Sequence, residues 1–263
     1  MRALSAYPTL LRIGFAGAIA YRAEMLVWML TMTMPFVSLA LWSAVAADAP
    51  IGRFDQKNFV AYFVSTIVVR QLSGSWVVWE MIQEIKSGAL ASRLLKPIHP
   101  LIVYSADNLA AIPLRMVFST PLAIIVLLSG GASLPHTLYG ALAFLLSLFG
   151  AWVITFFVMV VVGSLSFFIE SSISIFDIWL VFFMLFSGYL VPLELFPSWA
   201  RDIAYVLPFR YTLGFPVEIL IGMSNDAEIA RGLAIQAAYG VGSAVVALTM
   251  WSAGVRRYSA FGG

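Results

Sequence analysis

The chain has 263 residues, of which 62% are hydrophobic and only 11% are charged, and its mean hydropathy is +0.95. Soluble domains carry about 25% charged residues and about 45–50% apolar ones, so this composition excludes an ordinary soluble domain and indicates an integral membrane protein. The lack of cysteine excludes disulfides and thiolate metal sites. The net charge of +2 gives no reason to expect nucleic acid as a partner.

The first 22 residues predict a helix that lies along the membrane surface. At 100° per residue, Arg2, Ser5, Thr9 and Arg12 fall within one arc of about 80°, and apolar residues cover the opposite side. Such a helix places its arginines among anionic lipid headgroups. An ordinary amphipathic lead-in to the first span is almost the same physical object. Because Arg12 interrupts the apolar stretch, we expect no cleavable signal peptide.

Hydropathy predicts an all-α fold with six transmembrane helices in a single transmembrane domain, 1–263, since one span needs about 20 residues. The predicted spans are 25–47, 58–79, 109–128, 137–169, 175–191 and 233–251. The fourth run is too long for one straight crossing, so part of it must tilt or protrude. We expect Pro35 to kink the first span, and Pro113 and Pro121 to kink the third.

The distribution of lysine and arginine favours an orientation with both termini in the cytoplasm. Eight basic residues then lie inside: Arg2, Arg12, Arg22, Lys86, Arg93, Lys96, Arg256 and Arg257. Five lie outside: Arg53, Lys57, Arg201, Arg210 and Arg231. The expected location is the cytoplasmic (inner) membrane, as a multi-pass protein.

The segment 192–231, after the fifth predicted span, is rich in proline and aromatic residues. Its four prolines exclude one continuous helix, and its aromatic rings suit a boundary between membrane and water. We predict one or two short re-entrant helices that dip into the outer leaflet. The candidate residues of this outer cap are Phe196, Trp199, Pro208, Phe209 and Tyr211. A structured external loop without a transport role is the alternative.

The sequence offers little to an enzyme. It has no G-x-x-x-x-G-K-[ST] loop for nucleotide phosphates, and its two histidines, His99 and His136, are predicted on opposite sides of the membrane. We therefore expect no catalytic residue, no metal site and no cofactor in this chain.

Two arginines lie within predicted spans, where an ionised side chain is costly unless it faces protein or water. Arg70, halfway along the second span, could contact a substrate or gating partner, or form a structural ion pair with Glu24 or Glu170. Arg115 could extend to the membrane surface or pair with Asp107; a structural role is favoured for it.

The segment 80–100, EMIQEIKSGALASRLLKPIHP, is the longest charged stretch between strongly apolar runs. Apolar and polar residues occupy separate arcs before Gly88, and the apolar side rotates to Leu90 and Leu94 after it. A glycine between two helices explains this change of phase. The pattern predicts a short amphipathic helix, a break at Ser87–Gly88 and a second short helix that Pro97 stops. An amphipathic loop on the membrane is the alternative. The turn between the fourth and fifth spans could bring Glu170 and Asp177 to the basic residues of this segment.

Two motifs resemble those of a known family: EIKSGALASRLLKPIHP at 84–100 and SGYLVPLELFPSWARDIAYVLPFRYTLGFPVEILIG at 187–222. The chain resembles the permeases of ABC-2 type ATP-binding-cassette transporters, particularly small six-span exporter subunits. The resemblance implies an interfacial helix, a cytoplasmic coupling helix after the second span and short re-entrant helices between the fifth and sixth. It also implies a separate ATPase subunit, which binds ATP and Mg²⁺, and a second permease chain.

Matched to this chain, the resemblance assigns contact with the ATPase to the segment that contains Glu80, Ile82, Glu84, Ile85, Lys86, Gly88, Leu90, Arg93 and Leu94. It assigns no substrate residue. Because the predicted pathway faces carry few charges, we expect a hydrophobic or amphipathic cargo that leaves the cell. An oligomeric channel, a secondary transporter without an ATPase and a membrane scaffold are the alternatives.

Overall fold

A computed structural model describes residues 2–21, 23, 34–129 and 137–258 of the chain. Within these ranges the fold is all-helical. Its α-helices are α1 Arg2–Ala20, α2 Met34–Val45, α3 Gln56–Ser73, α4 Val77–Ser87, α5 Leu90–Leu94, α6 Pro100–Ala110, α7 Ile112–Ser129, α8 Leu138–Ser164, α9 Ser172–Phe186, α10 Ser198–Val206, α11 Pro208–Thr212, α12 Gly214–Leu220 and α13 Asp226–Arg257. Short 3₁₀ turns follow α8 at Leu165–Phe167 and precede α10 at Leu193–Leu195.

Two helices of the described residues are long and apolar enough to cross a membrane. They are Leu138–Phe167, which is α8 with its 3₁₀ turn, and Asp226–Arg257. A third crossing results if Pro100–Val117 and Ser119–Ile125, which meet at 49°, form one bent span. The two long helices coincide with the fourth and sixth predicted spans, whereas the total of six stays a prediction.

The second predicted span, 58–79, is wrong as a continuous helix. Helix α3 ends at Ser73 and α4 begins at Val77. Gly74 caps α3 in an extended conformation, and its N–H donates to the carbonyl of Arg70. Small polar residues offer little side-chain packing to a continuing helix, so the chain can change direction here.

Prolines and glycines account for the other differences in helix bounds. Pro121 has no N–H to donate to the carbonyl of Val117, which explains the bend at residues 117–119. Pro113 lies in the first turn of α7, where the helix restarts after Ala110. The fifth predicted span, 175–191, ends early at Phe186 because Gly188 adopts a positive φ of 86°.

The core forms around α8, which α13 packs against along its length and which α4, α11 and α12 also contact. The largest apolar cluster joins α4 to α8 through Met81, Ile85, Phe156 and Val160. Helix α1 lies along α6, where the hydroxyls of Tyr7 and Ser105 are 3.2 Å apart. The part of the first predicted span at 25–33 lies outside the described residues.

Candidate functional site

The predicted coupling segment folds as two helices joined by a sharp turn. Gly88 ends α4 in the left-handed conformation, with φ 81°, and its N–H points to the carbonyl of Ile85. A glycine is suited to this position because other residues pay a steric cost there. Helix α5 follows at once, from Leu90 to Leu94. The break therefore lies where the change of helical phase predicted it, although α4 starts at Val77, three residues before the predicted segment. We call Val77–Leu94 the hairpin.

An ion cluster fixes the hairpin in shape. Arg93 of α5 donates to Glu80 (2.5 Å) and lies 2.7 Å from a carboxylate oxygen of Glu84, both on α4. Tyr104 of α6 donates to the other oxygen of Glu84 (2.6 Å), and the guanidinium of Arg93 lies 4.7 Å from the Tyr104 ring. A single arginine thus holds three consecutive helices together.

The Glu80 carboxyl is the titratable group of this cluster that matters near neutral pH. Partial loss of water raises its pKa to about 7, although Arg93 lowers it, and the negative charge of Glu84 raises it further. As the pH falls through neutrality, Glu80 becomes protonated, loses its negative charge and so loses its ion pair with Arg93. Glu84 is the more enclosed of the two carboxylates.

Of the nine residues that sequence reasoning assigned to ATPase contact, three are buried, five are partly buried and one is exposed. Ile82, Ile85 and Leu90 are buried in the apolar core of the chain itself, and Leu94 packs against the same cluster. Of the nine, Lys86 has the freest side chain, and its ammonium donates to the backbone carbonyl of Glu170 (2.7 Å). These side chains hold the hairpin to the protein, and none of the buried ones offers a surface to a partner.

The exposed rim of the hairpin, with the two residues that follow it, contains Lys86 and six residues that were not assigned to ATPase contact: Gln83, Ser87, Ala89, Ser92, Leu95 and Lys96. Leu95 is 88% exposed, the highest value among the large apolar side chains of the described residues. The sequence did contain a signal for these exposed residues. The polar arc of an amphipathic helix lies on the side that faces away from the protein core.

The predicted contact between this segment and the next inner turn exists in a different form. Lys86 reaches the backbone of Glu170 and not its carboxylate, while Arg93 is occupied by Glu80 and Glu84. Within the described residues, Asp177 forms no ion pair with the hairpin.

Both arginines that were predicted to lie within spans are next to the break between α3 and α4. Arg115 of α7 donates to the carbonyl of Gly74 (2.9 Å), so it satisfies a backbone group that the helix end leaves free. The guanidinium of Arg70 lies 4.5 Å from the Phe183 ring and 5.6 Å from that of Trp76.

The ion pairs expected for these arginines do not form among the described residues. Arg115 has a backbone carbonyl as its partner in place of Asp107, and Arg70 forms no salt bridge with Glu170. Glu24 lies outside the described residues. Aromatic faces stabilise a guanidinium by cation–π attraction, which gives Arg70 a structural environment without a carboxylate. Its contact with a substrate or gating partner stays a prediction.

The proline-rich segment 192–231 contains three short helices, α10, α11 and α12, where one or two were expected. Each begins at or near a proline: Pro197 precedes α10, Pro208 is the first residue of α11, and Pro216 lies in the first turn of α12. Proline is tolerated in a first turn because its missing N–H has no partner there. Helices α11 and α12 pack against α8, inside the bundle.

A family model described as ABC-2 family transporter protein matches residues 31–262, which include the hairpin, the break at Gly74 and the three short helices. The chain belongs to the ABC-2 transporter family. No curated protein matches it. Family membership together with the apolar helices establishes a membrane protein of transport function.

The predicted outer-cap residues of this ABC-2 family protein divide into buried and exposed groups. Tyr211 is buried and donates to the carbonyl of Tyr205, and Phe209 stacks on Phe182 of α9 with ring centroids 6.3 Å apart. Phe196 and Pro208 are partly buried, whereas Trp199 is exposed. Their role as a cap on the pathway stays a prediction.

A buried ion pair that the sequence analysis missed joins two of the short helices. Arg210 of α11 donates to both carboxylate oxygens of Glu218 on α12, at 2.5 and 3.3 Å. Their side chains are 13% and 11% exposed. Tyr205 stacks on the guanidinium at 4.2 Å. The residues are eight apart with Pro216 between them, so no single-helix spacing could reveal the pair.

Of the two histidines of this ABC-2 family protein, the structure describes His99. The Nδ1 atom of His99 accepts from the N–H of Leu101 and so caps α6, while His136 lies outside the described residues. The described residues contain no group of three or more potential ligands that could hold a metal ion.

Proposed function

We propose that this ABC-2 family protein is the permease subunit of an ATP-driven exporter, and that a separate ATPase subunit docks on its hairpin. The observation that supports this most is the construction of the hairpin. Its apolar side is sealed into the core, its shape is fixed by Arg93, and its rim carries the exposed Leu95. A hairpin of this kind can move as a rigid unit when the ATPase moves, so that it transmits the displacement to the rest of the permease.

In this proposal the displacement passes from the hairpin to α3. Helix α4 moves as a unit because Arg93 and Tyr104 hold its neighbours to Glu84. The break at 74–76 lets α4 tilt relative to α3, and Arg115 keeps the free carbonyl at the break satisfied. A few residues at an element end that absorb a change of backbone angle are typical of a hinge.

The complete transporter in this proposal contains two permease chains and two ATPase chains, with ATP and Mg²⁺ bound by the ATPase. It resides in the inner membrane with both permease termini in the cytoplasm. Ile178, Val181, Phe182 and Leu185 form an exposed apolar stripe on α9, and the exposed polar residues of this helix, Ser174 and Asp177, lie near its start. In the proposal the two permease chains meet along this stripe, and a hydrophobic or amphipathic cargo passes between them on its way out of the cell.

Association with an ATPase tests the proposal directly. The chain is purified together with the ATPase encoded beside it, and both co-purification and ATP-dependent transport in vesicles are measured. Leu95→Asp puts a charge on the exposed rim and should weaken the complex at least tenfold, which corresponds to about 1.4 kcal/mol, because the ATPase would bury an unpaired carboxylate there. Leu138→Asp is the matched control, because Leu138 is also an exposed leucine, 77% exposed, at the start of α8 and away from the hairpin.

Two further variants examine the inside of the hairpin. Gly88→Pro and Glu84→Lys should abolish ATP-dependent transport by disturbing the turn and the ion cluster, respectively. Failure to associate with any ATPase, or transport that continues without ATP, would refute the proposal and favour a channel or a secondary transporter. The burial of Arg70 between aromatic rings argues against its service in a ring of charged pore residues.

A further inference from the structure

A cleft of about 470 Å³ lies beside the hairpin, at the end of the bundle where α8 and α13 both finish. Its walls come from α4, from the turn after α8 and from the end of α13. The residues that define its chemistry are Lys86, Phe168, Ile169, Glu170, Arg257 and Tyr258. Lys86 also belongs to the hairpin, whereas the other five have no role in the proposed docking of an ATPase.

Two cations border this cleft without a carboxylate partner. Within the described residues, neither Lys86 nor Arg257 forms a salt bridge. The Lys86 ammonium has one backbone carbonyl as a partner and can donate two more hydrogen bonds. Arg257 lies over the Phe168 ring at 5.7 Å, and the buried hydroxyl of Tyr258 has no hydrogen-bond partner in the described structure. Two cationic side chains thus border the cleft, and Tyr258 contributes to its wall.

The same cleft also has an apolar wall, and it lies at the end of a helix that is long and apolar enough to cross a membrane. Phe168 and Ile169 are exposed large apolar residues, and they lie where the most apolar helix of the chain ends. Charged donors beside exposed apolar side chains, at the end of spanning helices, are what the phosphate and upper acyl region of a lipid meet. A small free anion would use the cations and leave the apolar wall exposed.

We propose that this cleft binds the phosphate headgroup of an anionic phospholipid. Lys86 and Arg257 donate to the phosphate, and the acyl chains lie along Phe168 and Ile169. The Glu170 carboxylate on the rim opposes the phosphate, which leaves the cleft with an excess of one positive charge.

A lipid in this position joins the hairpin to the last helix, because Lys86 belongs to α4 and Arg257 to α13. The site needs no ATPase for its formation. It therefore goes beyond the proposed function and survives if that function is wrong.

Lipid binding to the purified full chain tests the proposal. The chain in a mild detergent is titrated with phosphatidylglycerol, and the bound lipid is counted by native mass spectrometry. Lys86→Gln and Arg257→Gln should each weaken binding about fivefold, since one basic residue near an anionic lipid contributes about 1 kcal/mol. Arg256→Gln removes the neighbouring exposed arginine, which does not line the cleft, and should leave binding unchanged. Glu170→Gln should strengthen binding.

Competition and a fold control complete the experiment. Phosphatidylcholine should bind more weakly than phosphatidylglycerol, and millimolar glycerol phosphate should fail to displace the lipid; displacement would identify a soluble phosphate as the ligand and overturn the lipid assignment. Equal losses in Arg256→Gln and Arg257→Gln would show general charge attraction and overturn the site. Unchanged binding in the Lys86→Gln, Arg257→Gln double variant would do the same. An unaltered melting temperature shows that each variant is folded.

Discussion

At the scale of single residues, the Arg210–Glu218 pair is an electrostatic feature that is costly to disturb. Both side chains are largely removed from water, and two hydrogen bonds join them. Three aromatic rings, those of Tyr205, Tyr211 and Phe215, lie within 4.2–5.7 Å of the guanidinium. A buried pair of this kind gives little net stability, yet the loss of one partner leaves the other charge buried and unpaired.

We predict that Arg210→Gln destabilises the protein by about 3–5 kcal/mol, whereas the double variant Arg210→Met, Glu218→Leu recovers most of this loss. The physical reason is the unpaired Glu218 carboxylate in the single variant. Thermal denaturation in detergent, followed by the fraction that stays soluble and folded, ranks the three proteins. A double variant as unstable as the single one would contradict the argument, because no buried charge remains in it.

At this scale, the sequence could not predict which groups the charged residues contact. Hydropathy placed Arg70 and Arg115 within spans, and both are buried. Their contacts, the Phe183 ring and the Gly74 carbonyl, belong to other elements. A periodic pattern describes one helix at a time, so it predicts which face is buried but not what that face meets.

At the scale of elements, the hairpin depends on the conformation of Gly88. An added Cβ would meet nothing within 4 Å, so the site has room for a side chain, and only the positive φ of 81° opposes one. The left-handed conformation costs other residues about 1–2 kcal/mol. Backbone strain and steric clash are therefore separable at this position.

We predict that Gly88→Ala lowers the stability of the protein by about 1 kcal/mol. Gly242→Ala is the matched control, since its Cβ also meets nothing within 4 Å while the residue lies inside α13 with no positive φ. Alanine favours a helix interior over glycine, so Gly242→Ala should be neutral or stabilising. Melting temperatures of the two variants provide the comparison. Equal shifts would mean that the turn tolerates alanine and that Gly88 does not set its geometry.

Sequence predicted this element well because its evidence is local. The change of helical phase, the glycine and the final proline lie within twenty residues, and the structure has its break at the same position. The continuous second span failed for an equally local reason, since small polar residues at 73–75 sit within an apolar run. An average over a window of about 20 residues hides such an interruption.

At the scale of the whole molecule, helix length separates the faces that suit lipid from those that suit protein. Helix α13 has 32 residues and extends about 48 Å. Only 17% of the residues in its most apolar 18-residue stretch are buried within the chain. Helix α9 has 15 residues and extends about 22 Å. A hydrocarbon core is about 30 Å thick, so α13 can face lipid along its length while α9 falls short. A helix that is too short for the bilayer is relieved by association with protein.

We predict that the second permease chain is another copy of this chain and contacts it along α9. The sequence contains no cysteine, so any disulfide-linked dimer must form through a single introduced cysteine. Val181→Cys on α9 should form a disulfide-linked dimer in oxidised membranes, while Val245→Cys on α13 should stay monomeric. The two valines are equally exposed, at 56%, and differ only in the helix that carries them. A dimer through Val245, or none through Val181, would contradict the assignment, because the apolar stripe of α9 would then face lipid despite its length.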